Sequence, residues 1–300
     1  MAILPKGETV NTGVIGGSPR GWTFISRAAC WRKFALCYLV GLYHHFTKDY
    51  FDLGSAFHAL MEGMSPERVG QLYPEQLTEA QRLEAIRRTK GPPLGKAVAI
   101  EREHILFDAK MTSKPDREEE AGVARDYKTA FNFSDHDQKK WDVAGGIIGE
   151  GVAARVTTML VDITSKRRGK GSLGETDKPV KIVSVQVTTK KAEALAAHVD
   201  DFWAQLEQRV RKVANSKHPT ALTRAFPPNL NACVDHYGPC DYYEHCWGKP
   251  PESLLYRVAE KAPDRWVTGR DETPLKLPGK LTTKLVSDAS TKLRKAWFKK

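Results

Sequence analysis

The sequence predicts an α/β protein with a central mixed sheet that is flanked by helices. The first observation is the order of the segments: helical stretches come first, and from residue 94 onwards short strand-like runs alternate with helices. The second is the composition, since 41% apolar and 9% aromatic residues in a chain of 300 are sufficient for a sizeable buried core. No internal repeat interrupts this order.

The N-terminal part is predicted to be helical after an irregular arm. Residues 1–25 are rich in Gly and Pro, which is typical of an arm without regular structure. Helices are expected over 26–43, where Ser26 is a suitable N-cap, over 53–63 and over 65–92. Residues 26–93 are therefore the helical part of the predicted domain.

The sheet is predicted within residues 94–215. Short runs rich in apolar residues indicate strands over 97–107, 122–129, 154–164 and 180–188. The intervening segments indicate helices over 134–150 and 190–213 and a Gly-, Lys- and Arg-rich loop over 165–178.

The positive charge favours a polyanionic partner, and DNA is the first such partner to consider. The net charge is +11, and residues 251–300 hold twelve Lys and Arg against six Asp and Glu. This segment is predicted to be a basic C-terminal tail. Near its end, cations and an aromatic ring alternate in a way that suits phosphates and an unpaired base: Lys292, Arg294, Lys295 and Trp297. A merely solvated terminus is the alternative.

The sequence indicates a cytoplasmic protein with no membrane partner. No run approaches the eighteen or more apolar residues of a membrane span, and the first 23 residues lack the order of a secretory signal. The five cysteines are therefore not expected to form disulfides, because the cytoplasm keeps thiols reduced.

A short strand carries the residues best suited to phosphodiester chemistry. Asp126 and Lys128 are two positions apart, so on a strand both side chains lie on the same face. Asp116 follows Pro115 ten residues earlier. Two carboxylates can hold a hard divalent cation, and a neighbouring ammonium group offsets negative charge in the transition state. The pattern therefore predicts a metal-dependent hydrolytic site.

Two further polar side chains accompany this strand. His58 follows Gly54, a glycine that we expect to allow close packing of its helix, and Gln138 lies on the helix that follows the Asp-Tyr-Lys strand. Taken alone, His58 is more typical of a satisfied core or surface histidine than of a metal ligand.

The order of these motifs resembles the RecB/AddB-type branch of the PD-(D/E)XK nucleases, which has phage-encoded and CRISPR-associated stand-alone members. The motifs are Cys-x-x-x-Phe from Cys30, Gly-x-x-x-His to His58, Pro-Asp at 115–116, Asp-Tyr-Lys-Thr from Asp126, and Gln138. The resemblance covers about residues 26–246. It implies a restriction-endonuclease-like core within a nuclease domain over 26–250.

The resemblance also implies a role for each motif residue. His58, Asp116, Asp126 and the backbone carbonyl of Tyr127 would hold Mg²⁺ or Mn²⁺, and Lys128 would be the catalytic lysine. Gln138 would lie near the DNA and the active site. Two departures leave alternatives open. Trp141 stands where the family usually has a tyrosine, and the short gap between the aspartates keeps Asp108 as a competitor of Asp116.

The cysteines predict a metal centre of their own in a cysteine segment over residues 226–250. Thiolates are the ligands of iron–sulfur clusters, and the related nucleases hold a cluster with one distant N-terminal cysteine and three near the C-terminus. The corresponding set for a [4Fe-4S] cluster is Cys30, Cys233, Cys240 and Cys246. Zinc is the alternative, since His236 and His245 lie nearby. Cys37 is expected to be a buried apolar residue.

The expected activity is that of a DNA nuclease, in particular an exonuclease on DNA ends or single strands in recombination, repair or phage DNA metabolism. The chain has no Gly-x-x-x-x-Gly-Lys-Ser/Thr motif, so any helicase would be a separate partner. The alternatives are a non-catalytic DNA-binding or scaffolding protein and a zinc-stabilised regulator.

Overall fold

The chain is divided into two units, each assembled from segments that are distant in the sequence. In the computed structural model the sheet unit consists of Lys48–Ile105 and Ser113–Ala196, and the helical unit of Met1–Thr47, Leu106–Thr112 and Ala197–Lys300. The residues that the structure describes are 20–44, 49–131, 133, 136–166, 179–217, 224–229, 234–235, 238–240, 242, 246, 256–258 and 277–298.

Helices over 49–90 are followed by alternating strands and helices over 94–215, as predicted, and further short strands lie at 42–44, 111–113, 117–119 and in the C-terminal part. In chain order the helices are α1 (Trp22–Ser26), α2 (Trp31–Phe34, extended by a π-helix over Ala35–Val40), α3 (Asp49–Met61), α4 (Pro66–Leu72), α5 (Leu77–Lys90), α6 (Asp137–Asp142), α7 (Gly145–Ala153), α8 (Thr189–Asn215) and α9 (Thr283–Phe298). The strands are β1 (Leu42–His44), β2 (Ala97–Ile100), β3 (His104–Leu106), β4 (Met111–Ser113), β5 (Arg117–Glu119), β6 (Val123–Ala130), β7 (Thr158–Ser165), β8 (Val180–Gln186), β9 (Val234–Asp235), β10 (Gly238–Pro239) and β11 (Tyr256–Val258).

The sheet unit is built on a mixed five-stranded sheet in the order β2-β5-β6-β7-β8. Strands β6 and β7 run parallel and pair Asp126 with Val161, while the other neighbours are antiparallel. The parallel pair is joined through α6 and α7, as a parallel connection requires a crossover. The predicted α/β class with a mixed sheet flanked by helices is therefore confirmed.

Helices α3, α4 and α5 cover one face of the sheet. Their apolar residues form a core with Tyr127 of β6, and the buried members include Phe57, Leu60 and Leu83. The same face also carries a buried ionic network, in which Arg87 of α5 and Arg125 of β6 both contact Asp162 of β7. Charges can be buried here because each has an opposite partner.

Helices α6 and α7 lie along the opposite face, where Ala124, Met159 and Val161 form a second core with Ile147 of α7. The sequence predicted a single helix over 134–150, but the structure has two. The break falls at Ala144, whose extended backbone (φ −72°, ψ 112°) is the N-cap of α7. This break redirects α7 across β6 and β7.

The helical unit buries a cluster of aromatic rings. Phe24 of α1 lies edge-on to Phe34, and Trp31 of α2 is stacked on Phe202 of α8 at 5.8 Å between ring centroids. Arg209 lies over the Trp31 ring at 4.5 Å. These contacts attach the N-terminal helices to α8.

Helix α9 occupies part of the segment that the sequence predicted as a tail. Its apolar residues Val286, Ala289 and Leu293 are buried, and Ser290 Oγ donates a hydrogen bond to Leu39 O at 2.5 Å. Spacings of three and four residues place these side chains on one helix face, and the π-helix packs against that helix.

Two smaller points complete the fold. The prediction that Gly54 permits close packing is wrong, since a Cβ at Gly54 would meet no heavy atom within 4 Å. Among the described helices, none is both long enough and apolar enough to cross a bilayer.

Candidate metal centre

The Asp-Tyr-Lys motif lies in the middle of the central strand of the sheet. Because side chains alternate along β6, Asp126 and Lys128 share the face that is covered by α7, whereas Tyr127 points to the opposite core. Asp126 is only 3% exposed, and Lys128 Nζ forms an ion pair with its Oδ1. The sequence thus places the carboxylate and the ammonium group together, as predicted.

Asp116 lies in the connection between β4 and β5 and is held by the same strand. The Tyr127 backbone N–H donates a hydrogen bond to Asp116 Oδ2 at 2.7 Å. His58 Nδ1 of α3 lies 3.2 Å from the same oxygen. Three separate elements therefore meet at one carboxylate.

A second carboxylate on the α3 side lies close to the histidine. Glu62 follows His58 by one helical turn, and its Oε1 is 3.9 Å from His58 Nδ1. One potential ligand atom from each of His58, Glu62 and Asp116 lies within 4.8 Å of the others. Imidazole nitrogen and carboxylate oxygens are a suitable donor set for Mn²⁺ or Mg²⁺.

Glu101 adds a carboxylate at a strained backbone position. Its φ of +47° is in the left-handed region, which is uncommon for a residue other than glycine. Its carboxylate pairs with Lys114 at 2.6 Å and also shares a hydrogen bond with Glu62. Burial and the neighbouring Glu101 charge raise the pKa of Glu62 to about 8.

The charges of this cluster lower the pKa of Asp116 and raise the pKa values of His58 and Lys128. Burial alone would raise the pKa of Asp116, but His58, Lys128 and the Tyr127 N–H outweigh burial and lower it. Burial would lower the pKa of His58, yet the Asp116 carboxylate raises it. Burial would lower the pKa of Lys128 as well, and Asp126, with other nearby carboxylates, raises it. In each case the neighbouring opposite charge favours the charged form of the group.

Two carboxylates of the site have an oxygen without a partner. Asp126 Oδ2 and Glu150 Oε2 are buried and make no hydrogen bond within the described part of the chain. Burial raises the pKa of Asp126, and it raises the pKa of Glu150 well above its usual value, with the charge of Asp126 adding to the effect. Unpartnered buried oxygens are costly, and a cation is one group that would satisfy them.

Two other residues predicted for the site have surroundings of their own. Gln138 is exposed on α6 and donates a hydrogen bond to Ser184 O of β8 at 2.7 Å. Asp108 lies in the left-handed turn between β3 and β4. The hydrogen bond with Asp200 raises the pKa of Lys110, and the charge of Asp108 adds to this effect. Of the two aspartates that competed as the second ligand, Asp116 is the one that contacts His58.

The predicted iron–sulfur ligands are described only in part, because Cys233 lies outside the described residues. Cys30 is buried at the start of α2, and its Sγ accepts the Asn229 backbone N–H at 3.4 Å. Burial lowers the pKa of Arg32, and the charges of Cys246 and Cys30 act on it in the opposite direction. One guanidinium is therefore near both of these thiols.

The tail residues that were predicted to bind DNA have different surroundings. Lys292 Nζ donates to the backbone carbonyls of Ala214 and, at 3.1 Å, Ser216, at the C-terminal end of α8. Lys295 is exposed and Arg294 is partly buried on the same helix. The side chain of Trp297 lies outside the described residues.

Sequence reasoning missed three carboxylates of this site, which are Glu62, Glu101 and Glu150. The signal for Glu62 was present, since it follows His58 at the i+4 spacing of a helix. Glu150 had no such signal, because its position depends on how α7 packs on the sheet.

Compared with family models, with curated proteins and with solved structures, the chain matches none. The structure defines an α/β sheet unit with a cluster of acidic residues, a histidine and a lysine that meet at its central strand.

Proposed function

We propose that this chain is a metal-dependent DNA nuclease of the PD-(D/E)XK class. The observation that carries the proposal is the convergence of Asp116, Asp126 and Lys128 at one position on the sheet, joined by the Tyr127 hydrogen bond. A structural salt bridge would explain Lys128 and Asp126 alone. It would not explain the accompanying carboxylates or the unpartnered oxygen of Asp126.

The donor set fits Mg²⁺ or Mn²⁺. His58, Asp116, Asp126 and the Tyr127 carbonyl would hold the ion, with Glu62 as an added ligand. A bound divalent cation would polarise the scissile phosphate and lower the pKa of a water molecule. Lys128 fixes the orientation of Asp126 and places a positive charge where charge builds up on the phosphate.

The substrate class rests on charge and on the resemblance to RecB/AddB-type nucleases. A net charge of +11 favours a polyanion, and within this proposal the enzyme degrades DNA from ends or single strands. It would act in recombination, repair or phage DNA metabolism in the cytoplasm of a bacterial cell, with any helicase as a separate protein.

We also propose that Cys30, Cys233, Cys240 and Cys246 hold a [4Fe-4S] cluster. The approach of Cys30 and Cys246 to the same Arg32 supports this proposal. Such a cluster would tie the N-terminal helices to the cysteine segment and would stabilise the fold rather than take part in hydrolysis.

Digestion of end-labelled linear double-stranded and single-stranded DNA tests the nuclease proposal. With Mn²⁺ present the parental protein should degrade DNA, and Asp126→Asn and Lys128→Met should each lower the rate at least about 100-fold. Circular dichroism and DNA binding should be unchanged in both variants. Parental rates in either variant, or no cleavage by the parental protein under any divalent cation, would refute the assignment.

A further inference from the structure

Helix α7 carries an acidic side chain, Glu150, and packs against the face of β6 that holds Asp126. Ile147 of α7 packs in the same core as Ala124 of β6. Glu150 follows Ile147 by three residues, so it lies on the same face of the helix. Asp126 follows Ala124 by two residues on the strand, so it shares the same face of the sheet. Glu150 and Asp126 therefore approach each other from two elements.

Next to Glu150, the backbone of α7 at Gly151 closely approaches two apolar side chains. A Cβ at Gly151 would lie 2.4 Å from Val187 Cγ2 and 2.9 Å from Met159 Cγ, so only a glycine fits without displacement. The helix is consequently seated against β7.

Glu150 and Asp126 each have one buried carboxylate oxygen that lacks a hydrogen-bond partner in the described residues. Lys128 pairs with Asp126 Oδ1, which leaves Asp126 Oδ2 and Glu150 Oε2 without hydrogen bonds in the described residues. Asp126 is 3% exposed, so bulk water is not an easy substitute. Two carboxylates therefore lie near one ammonium group, that of Lys128.

We propose that Glu150 is a ligand of a divalent cation that it shares with Asp126 on the α7 side of β6. Hard cations of the Mg²⁺ and Mn²⁺ class bind carboxylate oxygens, and the ion would satisfy both orphaned oxygens at once. The inference rests on the metal site of the proposed nuclease and extends it, because none of the sequence motifs includes this helix.

The test measures Mn²⁺ binding by the intact protein rather than DNA cleavage. Mn²⁺ is titrated into the parental protein, Asp126→Asn, Glu150→Gln and the matched control Glu193→Gln, whose side chain is exposed on α8. Binding is followed by calorimetry and by the rise in Tm on adding Mn²⁺. We expect Glu150→Gln and Asp126→Asn each to weaken binding at least ten-fold, and the double variant to lose little more than either alone.

The thermal data separate ligation from a purely structural role. Without Mn²⁺, Glu150→Gln should be at least as stable as the parental protein, since it removes the charge of a carboxylate whose Oε2 is buried without a partner in the described residues. With Mn²⁺ it should be the less stable of the two. Parental Mn²⁺ affinity in Glu150→Gln, or a loss of stability that is equal with and without Mn²⁺, would overturn the inference.

Failure of the nuclease proposal would give a different result. If Mn²⁺ binding depends on Glu150 but no DNA is cleaved, the ligand assignment holds and the activity is wrong. If DNA is cleaved and Asp126→Asn weakens Mn²⁺ binding while Glu150→Gln does not, the activity holds and the inference about Glu150 fails.

Discussion

The backbone N–H of Tyr127 donates a hydrogen bond of 2.7 Å to Oδ2 of Asp116. This single bond joins the Pro-Asp motif to the Asp-Tyr-Lys motif, which are ten residues apart in the sequence. His58 Nδ1 lies 3.2 Å from the same oxygen, so the helix, the β4–β5 connection and the central strand are held in one geometry. The main chain therefore fixes the position of the Asp116 carboxylate relative to the strand.

This relationship predicts which aspartate is needed for activity. Asp116→Asn removes a charge beside His58 while the amide can still accept the Tyr127 N–H, so cleavage should fall at least about 100-fold in a folded protein. Asp108→Asn, in the turn between β3 and β4, should keep the parental rate. Initial rates on labelled single-stranded DNA with Mn²⁺ provide the comparison, and the reverse ranking would restore Asp108 as the ligand.

Arg87 should be among the most sensitive residues for stability. Arg87 and Asp162 are fully buried, and Arg87 Nε donates to Asp162 Oδ2 at 2.7 Å. Arg87→Met leaves Asp162 with only Arg125, so the free energy of unfolding should fall by about 3–5 kcal/mol. Urea denaturation gives this value directly.

A neighbouring arginine supplies the control for that measurement. Arg88 pairs with Glu84 at 2.8 Å on the exposed side of α5, and its side chain is 47% exposed. Arg88→Met should change the free energy of unfolding by less than about 1 kcal/mol. Equal losses in the two variants would show that the buried network is not what stabilises this face.

The sequence predicted the elements of the sheet unit well where a pattern is local. The strand predicted over 122–129 is Val123–Ala130, and the helix predicted over 190–213 is Thr189–Asn215. The break before α7 was missed although the sequence carries a signal for it, since Gly145-Gly146 follows directly and glycine disfavours a continuous helix.

In the candidate site, too, some residues could be predicted from local patterns, whereas others come together only through tertiary packing. Asp126 and Lys128 could be placed together from strand alternation alone, and Asp116 and His58 from the order of the motifs. Glu150 could not, since it reaches Asp126 only through the seating of α7 on the sheet. The family resemblance instead predicted Gln138 near the active site. In the structure its amide donates a hydrogen bond to Ser184 O.

The proposed iron–sulfur cluster predicts a coloured protein. Material purified without oxygen should be brown and contain iron and acid-labile sulfide in comparable amounts. Cys30→Ser and Cys240→Ser should both lose the colour. Cys37→Ser should keep it, because Cys37 is buried in the π-helix among Leu36 and Leu39. A colourless protein with one zinc per chain would replace the cluster by a zinc site.

We predict that two lysines of the C-terminal helix differ in their contribution to DNA binding. Lys295 is exposed, whereas Lys292 is bound to carbonyls at the end of α8. If Lys295 contacts a phosphate, Lys295→Gln should weaken DNA binding and reduce the slope of log affinity against log salt by about 0.7–0.9. Cleavage at saturating DNA should be unchanged, since Asp126 and Lys128 remain.

Substitution is a better test here than truncation, because cutting the chain after Thr291 would remove the buried Leu293 together with the cations. The matched control is Lys284→Gln on the same helix, where Lys284 is paired with Asp288 at 2.9 Å. This control removes the same charge near the start of α9. An equal change in slope for Lys284→Gln and Lys295→Gln would indicate a general charge effect. No change for Lys295→Gln would mean that this lysine makes no phosphate contact, and that the buried face of α9 contributes to folding alone.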